Sequence, residues 1–347
     1  MPTVFGTFDP LAVARPLSWV VVAAFLGAGL LAGRDRERAR GVGVLAWGLF
    51  AVFWLVLIPH FVVTQRSIVE GLGTIAAVPL SAYAGYRLWT GRDSLFVLTR
   101  AIGYMGLLYL PFAYVPFLES NPIRGFAIEL VAGHTDFILG LVGVEPDLVV
   151  GTEYFANPDN PDYQYEGTFV FPGNSQPITY TIIVACTGVG SMSIIAGLVL
   201  AVVAPMRRKL RALAVALPVI YVLNVLRNVF IATMFGQQRM QWFVDPIMSL
   251  FGLSDPQLVS YYIADRLLAQ VGSVVALAAI TWLVVRELPE VLSVIDDVLY
   301  LVTGSEYDLR ETLDLPHARV DSALAQIGQY ALGRAAEFGQ RVALDVV

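Results

Sequence analysis

The sequence predicts an all-α polytopic membrane protein of about seven transmembrane helices, with a small extracytoplasmic β-hairpin loop and an amphipathic cytoplasmic C-terminal tail. Three observations predict it. Of 347 residues, 57% are hydrophobic and only 14% are charged, whereas a soluble domain carries about 25% charged residues. Several stretches match or approach the roughly 20 apolar residues needed to cross about 30 Å of hydrocarbon. The basic residues collect in alternate loops, as the orientation of membrane helices by positive charge requires.

The first span, 17–32, is short enough for a secretory leader, but Arg34, Arg36, Arg38 and Arg40 follow its apolar run instead of preceding it. That order favours an uncleaved helix with its N-terminus outside. Spans 41–63, 71–89 and 100–118 follow, then 210–235 and 261–285, each bounded by Arg, Pro or Gly. A seventh is expected from Ala185 to Met206, about 33 Å as a helix. With the N-terminus outside, the inner loops receive the four arginines 34–40, then Arg87, Arg92 and Arg100, then Arg207, Arg208, Lys209 and Arg211, and finally Arg286. The outer side receives only Arg15, Arg66, Arg124 and Arg239. Residues 123–143 are apolar but contain Arg124, Glu129, His134 and Asp136. A full crossing there would reverse the parity of every later loop, so an interfacial or partly inserted outer helix is expected, with an eighth, tilted span as the alternative if another boundary is shifted.

The outer loop Glu145–Tyr180 carries six acidic residues and no basic one. Within it Tyr163–Phe171 and Ile178–Val184 are aromatic and β-branched, and a turn-like Gly173-Asn174-Ser175 separates them, which is the pattern of a hairpin. The charge divides the chain in two. Residues 1–286 hold 18 basic against 17 acidic groups, and residues 287–347 hold 4 against 11. The expected organisation is a membrane domain, 1–286, and an acidic tail, 287–347, whose amphipathic stretches Leu288–Leu301 and Val320–Leu344 lie on the inner membrane surface or pair together. No basic face suits nucleic acid. A single cysteine excludes an intrachain disulfide, and His60, His134 and His317 have no metal-ligand spacing. No cofactor and no metal are expected.

Charge inside a bilayer span costs at least about 2.5–3.5 kcal/mol, so an intramembrane arginine is a functional candidate by default. Arg227 and Arg266 are two such residues, and counting 1.5 Å per residue from the ends of their spans puts them roughly 12 Å and 7–8 Å below the outer surface. Cys186 enters from the same side, in the first turn of its expected helix. A thiolate is the nucleophilic form of cysteine, and cations together with a helix N-terminus stabilise it. A guanidinium can also donate paired hydrogen bonds to a scissile carbonyl or its oxyanion. Gly190, Ser193 and Gly197 follow Cys186 at helical spacing, a small-residue stripe that admits a neighbouring helix. Asn224 shares the face of Arg227, and Gln270 and Ser273 share that of Arg266. His60 and His134 are candidate bases, although each also suits a structural role.

The segments Ala185-Cys186-Thr187-Gly188, Asn224-Val225-Leu226-Arg227-Asn228 and Asp265-Arg266 resemble the exosortase/archaeosortase family. Its third position is His in many members and Arg in the archaeosortase branch, which Arg266 matches. The resemblance is strongest over 180–286. It implies a membrane-bound cysteine peptidase or transpeptidase, with Cys186 as nucleophile and Arg227 and Arg266 in activating roles. Thr187, Asn224 and Asn228 would then support the site. The implied substrates are membrane-anchored surface proteins, S-layer glycoproteins among them, bearing a C-terminal signal of Pro-Gly-Phe type. The implied acceptor is an archaeal membrane lipid. Arginine used almost to the exclusion of lysine, with an acidic loop and tail, suits a high-salt archaeal setting. An alternative from another class is a transporter that binds an anionic solute through Arg227 and Arg266. A retinal-type pigment is disfavoured because the only lysine, Lys209, lies in an inner loop, and no Ser–His pair on suitable spans supports a rhomboid-like protease.

Overall fold

Four helices open the chain, and most begin where the sequence supplies a cap. The computed structural model describes residues 9–116, 118, 120–155, 160–172 and 177–313. Asp9 accepts the Leu11 N–H ahead of α1 (Pro10–Leu31), and Asp35 accepts the Arg38 N–H ahead of α2 (Arg36–Pro59). Ser67 does the same for α3 (Ile68–Trp89), and α4 (Leu95–Ala113) follows. Side-chain oxygens of this kind satisfy helix N–H groups that have no partner within the helix. The end of α2 loosens into a π-helical turn, His60–Thr64. α2 packs against α1 and α3, and α4 lies against α1. At the centre of this group Phe25 is fully buried and meets Trp47 edge-on, while the Trp47 indole donates to Thr99 Oγ1 at 3.1 Å.

Among the described residues six helices are long and apolar enough to cross a membrane: α1, α2 with its π-helical end, α3, α4, α8 (Met206–Gly236) and the run Leu258–Glu287. The last comprises α10 (Leu258–Tyr261), a π-helical stretch Tyr262–Ala269 and α11 (Gln270–Glu287). Their outward faces carry large apolar side chains such as Leu45, Leu55, Leu72 and Val275. Such faces suit lipid, which needs no polar covering.

The seventh expected span is shorter than the sequence suggested. α7 is Val189–Ala201, 13 residues, or about 20 Å. Its start is displaced from Ala185 because Gly188 takes a left-handed conformation (φ 79°) and Val184–Cys186 forms a separate 3-10 turn. Cys186 therefore stands ahead of the helix and not within its first turn. α7 is packed between α4 and α8. A Cβ added at Gly197 would lie 2.8 Å from the Met105 backbone nitrogen and 3.0 Å from the Ala101 carbonyl. The small-residue stripe is thus occupied by α4.

Residues 122–141 form α5, which packs against α4, α8 and the sheet. Ile128, Val131 and Leu139 are buried, while Phe126, Leu130 and Phe137 face outward beside Glu129 and His134. α5 is not among the six long apolar helices, and it is two-faced, with one side buried and the other exposed.

The expected hairpin is present, with a third strand. β1 (Asp147–Val150), β2 (Glu166–Phe171) and β3 (Ile178–Thr181) form an antiparallel sheet in the order β1-β2-β3. β1 escaped the sequence reading because it is four residues long and irregular between Val149 and Val150. The one-turn α6 (Gly151–Tyr154) follows it. The turn Gly173–Ser175 lies outside the described residues. Phe169, Tyr180 and Ile182 enter one core with Ile128 and Val131 of α5 and Ile231 and Phe235 of α8. A short amphipathic helix, α9 (Val244–Phe251), connects α8 to α10.

At the opposite end of the bundle the basic loops are tied together by ion pairs. Arg36 and Arg40 both bind Asp93, at 3.1 and 2.8 Å. α12 (Leu292–Thr303) packs against α3 and α4 there, and its buried Asp297 accepts from Arg92 (3.1 Å) and Ser94 (2.8 Å). The first amphipathic stretch of the tail therefore docks on the helical body. Residues up to Ser305 form one compact unit. Of the second unit, Glu306–Val347, the described part contains the one-turn α13 (Leu309–Thr312). The stretch Val320–Leu344 and His317 lie outside the described residues.

Candidate active site

The position of Cys186 is fixed by two sets of polar contacts, one before it and one on its own carbonyl. β3 continues as extended chain to Ile183. There the Val184 N–H donates to Asp162 Oδ2 at 2.9 Å, and Asp162, itself buried, pairs with Arg124 at 3.1 Å. Arg124 also donates to the carbonyls of Phe112 and Ala113 at the end of α4. One guanidinium thus joins α4, α5 and the turn that presents the thiol. Thr187 Oγ1 closes the turn by donating to the Val184 carbonyl at 2.7 Å.

The Cys186 carbonyl accepts from two asparagines of α8, Asn224 Nδ2 at 2.6 Å and Asn228 Nδ2 at 2.8 Å. Their i,i+4 spacing places both on one helix face. Asn228 is fully buried, and its Oδ1 accepts from the Tyr180 hydroxyl at 2.8 Å. Gly188 completes the arrangement, since a Cβ at its left-handed position would lie 3.0 Å from Asn224 Cγ. The expected supporting residues Thr187, Asn224 and Asn228 therefore all meet the Cys186 turn.

Arg227 projects from the same stretch of α8, and its Nη2 donates to Asp265 Oδ1 at 2.6 Å. Asp265 also stands 3.6 Å from Arg266 Nε, and Arg266 Nη1 reaches Glu70 of α3 at 3.8 Å. One carboxylate thus lies between the two arginines. Gln270 donates to Ser67 at 2.9 Å and links the Leu258–Glu287 run to the start of α3. The buried cations that stood out in the sequence are compensated, as charges removed from water must be. Burial pushes the Cys186 thiol up from its ordinary value; Arg227 is the strongest influence drawing it back, opposed by Asp265, and Tyr180 also draws it down.

Two hollows flank this ion pair. A cavity of about 280 Å³ is lined by Tyr180, Thr181, Ile183, Cys186, Tyr261 and Asp265. A groove of about 390 Å³ runs between α8 and α11. Gly188, Asn224, Arg227 and Ser273 give it polar groups, and Leu223 and Ile280 are among its apolar ones. Arg227 lines the groove and Asp265 lines the cavity, so their ion pair stands between the two.

Arg227 acts on the Cys186 thiol through its charge while pairing with Asp265, whereas Arg266 stands beside Glu70 and Asp265. The two histidines lie elsewhere. His60 contacts Gln65 at 3.0 Å, His134 contacts the Tyr221 hydroxyl at 2.6 Å, and neither lines the Cys186 cavity. Tyr180, Asp162 and Glu70 were missed by sequence reasoning. Tyr180 was recoverable from the alternation of β3, where it falls on the inward side six residues before the cysteine. Asp162 carried no signal, since it is one of six acidic residues in its loop. Among the described residues no cluster of side chains has the composition of a metal site.

Comparison with known proteins identifies relatives over most of the chain. Archaeosortase A of Haloferax volcanii is 49% identical over 304 residues, covering 86% of this chain and 97% of that protein. Archaeosortase A of Natronomonas pharaonis is 42% identical over 289 residues, covering 82% and 88%. No solved structure matches the chain significantly. The family model of the transmembrane exosortases matches residues 14–255, which include Cys186 and Arg227. On these grounds, and with six helices among the described residues fit to cross a bilayer, the chain is a multi-pass membrane protein of the transmembrane exosortase family.

Proposed function

We propose that this chain processes surface proteins by cysteine transpeptidation at the extracytoplasmic face of the membrane. Membership of the exosortase family and the archaeosortase relatives support a processing and sorting role at the membrane. The observation that carries the chemistry is the clamp on Cys186: two asparagines hold its carbonyl, Arg227 influences its thiol, and a cavity opens on it. Holding a nucleophile in a fixed geometry lowers the entropic cost of attack.

In this proposal the substrate is a membrane-anchored surface protein, such as an S-layer glycoprotein, with a C-terminal signal of Pro-Gly-Phe type. The Cys186 sulfur attacks the scissile carbonyl, and Arg227 stabilises the oxyanion. The C–N bond then breaks, the departing amine takes up the proton that left the thiol, and a thioester remains. A lipid hydroxyl attacks the thioester, forms the ester and releases the thiol. The acceptor, an archaeal phospholipid, reaches the site through the groove between α8 and α11, whose polar groups and apolar walls suit an amphiphile. The substrate tail does not dock on the small-residue stripe, because α4 already covers Gly197. The proposed orientation puts the N-terminus outside and the acidic segment 287–347 in the cytoplasm.

Replacing Cys186 by Ala tests the proposal. A reporter bearing the sorting signal should keep its tail in cells that contain only the variant, and normal tail removal would overturn the mechanism. The transporter reading is weakened by the ion pairs. Arg227 is joined to Asp265, and Arg266 stands beside both Asp265 and Glu70, so neither presents an uncompensated cation to a solute anion.

A further inference from the structure

The outer edge of β3 carries main-chain groups that the sheet does not use. The Ile182 N–H donates to the Gly167 carbonyl at 2.8 Å, and Ile182 continues the register that pairs Tyr180 with Phe169 and Ile178 with Phe171. In an antiparallel ladder hydrogen-bonded pairs alternate with non-bonded ones. Ile178, Tyr180 and Ile182 therefore spend their main-chain bonds on β2, and Thr179, Thr181 and Ile183 turn theirs away from it. The Thr168–Thr181 hydroxyl contact at 3.0 Å fits a non-bonded pair, whose side chains stand closer. Among the described residues the N–H groups of Thr179, Thr181 and Ile183 and the carbonyls of Thr179 and Thr181 have no hydrogen-bond partner. Unpaired edge groups are a template for another strand.

Thr179, Thr181 and Ile183 line the same cavity as Cys186. Phe235, Leu258 and Tyr261 also line it, apolar surfaces that can receive side chains from one face of a strand. From Thr179 to Ile183 the edge offers about 13 Å of extended template, and it ends at the turn that presents the thiol. We infer that β3 binds the substrate as an added fourth strand, an extended peptide held mainly by main-chain hydrogen bonds to Thr179, Thr181 and Ile183, with alternate apolar side chains against Phe235, Leu258 and Tyr261. Recognition by strand addition takes affinity from the main chain and specificity from pockets for alternate side chains. The occupant is the extended stretch of the substrate at its scissile bond, so the inference rests on the peptide-processing function proposed above.

Amide hydrogen exchange of the Cys186→Ala chain in detergent micelles, followed by NMR, tests this without turnover. The probe is a synthetic peptide containing the Pro-Gly-Phe segment and its flanking residues. Adding it should slow exchange at Thr179, Thr181 and Ile183 by about tenfold or more at saturation. Tyr180 and Ile182, already bonded to β2, should change little. Three results would overturn strand addition: no change at the three odd positions, equal slowing at odd and even positions, or full protection of the edge before peptide is added. A matching series of peptides N-methylated one residue at a time gives an independent check. Binding to the Cys186→Ala chain should fall about five- to tenfold at every second position, and a series without period two counts against the strand. If exchange shows the alternation while the Cys186→Ala chain still processes the cellular reporter, the catalytic role of Cys186 fails and the binding edge stands.

Discussion

Replacing Asp265 by Asn separates charge from shape at the junction of the two arginines. The asparagine keeps an acceptor for Arg227 Nη2, which now lies 2.6 Å from the carboxylate, and removes only the negative charge. Unit charges about 4 Å apart attract by about 4 kcal/mol at an effective dielectric of about 20. The Arg227 side chain retains 22% of its exposure and Asp265 10%, so solvent screens part of this, and the surviving hydrogen bond returns about 1 kcal/mol. A loss of about 2 kcal/mol remains. If Asp265 aims Arg227 at the reacting carbonyl, that loss falls on the rate, and 1.36 kcal/mol per decade makes it about 30-fold. Pulse-chase of a tailed reporter, in cells with equal amounts of wild-type and variant protein, measures it. Asp265→Glu, which keeps the charge and moves it by one methylene, should lose less. Wild-type processing by Asp265→Asn would refute the idea that this carboxylate positions Arg227.

Other outcomes follow from neighbouring contacts. Because burial raises the Cys186 thiol above its ordinary value while Arg227 draws it down, and only the thiolate alkylates, iodoacetamide labelling should accelerate as pH rises. Its midpoint should lie above that of a free thiol and move higher still in Arg227→Gln; a midpoint that fell in the variant would contradict the assignment. Gly188→Ala must hold a side chain at φ 79° with its Cβ 3.0 Å from Asn224 Cγ. A penalty of about 1–3 kcal/mol is expected, read as a lower inactivation temperature in detergent together with slower processing. His60→Ala and His134→Ala should process the reporter within about threefold of wild type, an indifferent change on the scale of 1.36 kcal/mol per decade; a tenfold fall in either would restore a histidine base to the mechanism.

The parts of this molecule legible in the sequence are those governed by local rules. Apolar length and basic loops disclose the long helices, because a bilayer imposes both on any chain that crosses it. Arg227 was visible because charge in a span is costly, Asn224 because it shares that helix face, and Asn228 only through the family resemblance. What stayed hidden depends on contacts between distant segments. Asp162 reaches the cysteine turn from 22 residues upstream, and nothing in its own neighbourhood announces that. The length of α7 was overestimated because apolar residues continue through the Cys186 turn, where the left-handed Gly188 breaks the helix although hydropathy does not change. Gly197 was rightly seen as a contact point, but which helix would fill it could not be read from one chain's pattern.

The ion pair between Arg227 and Asp265 has a kinetic consequence. An acyl-enzyme normally meets its acceptor and water in one compartment, and the product ratio then follows their concentrations there. Here Arg227 lines one hollow and Asp265, its ion-pair partner, lines the other. Under the proposed chemistry, release of the cleaved tail and arrival of the acceptor use different doors, so the second substrate need not wait for the first to vacate. The competitor of hydrolysis becomes a two-dimensional density of lipid instead of a bulk concentration. Dilution of the sample leaves that density unchanged, and dilution of the acceptor within the bilayer shifts the outcome toward the free acid.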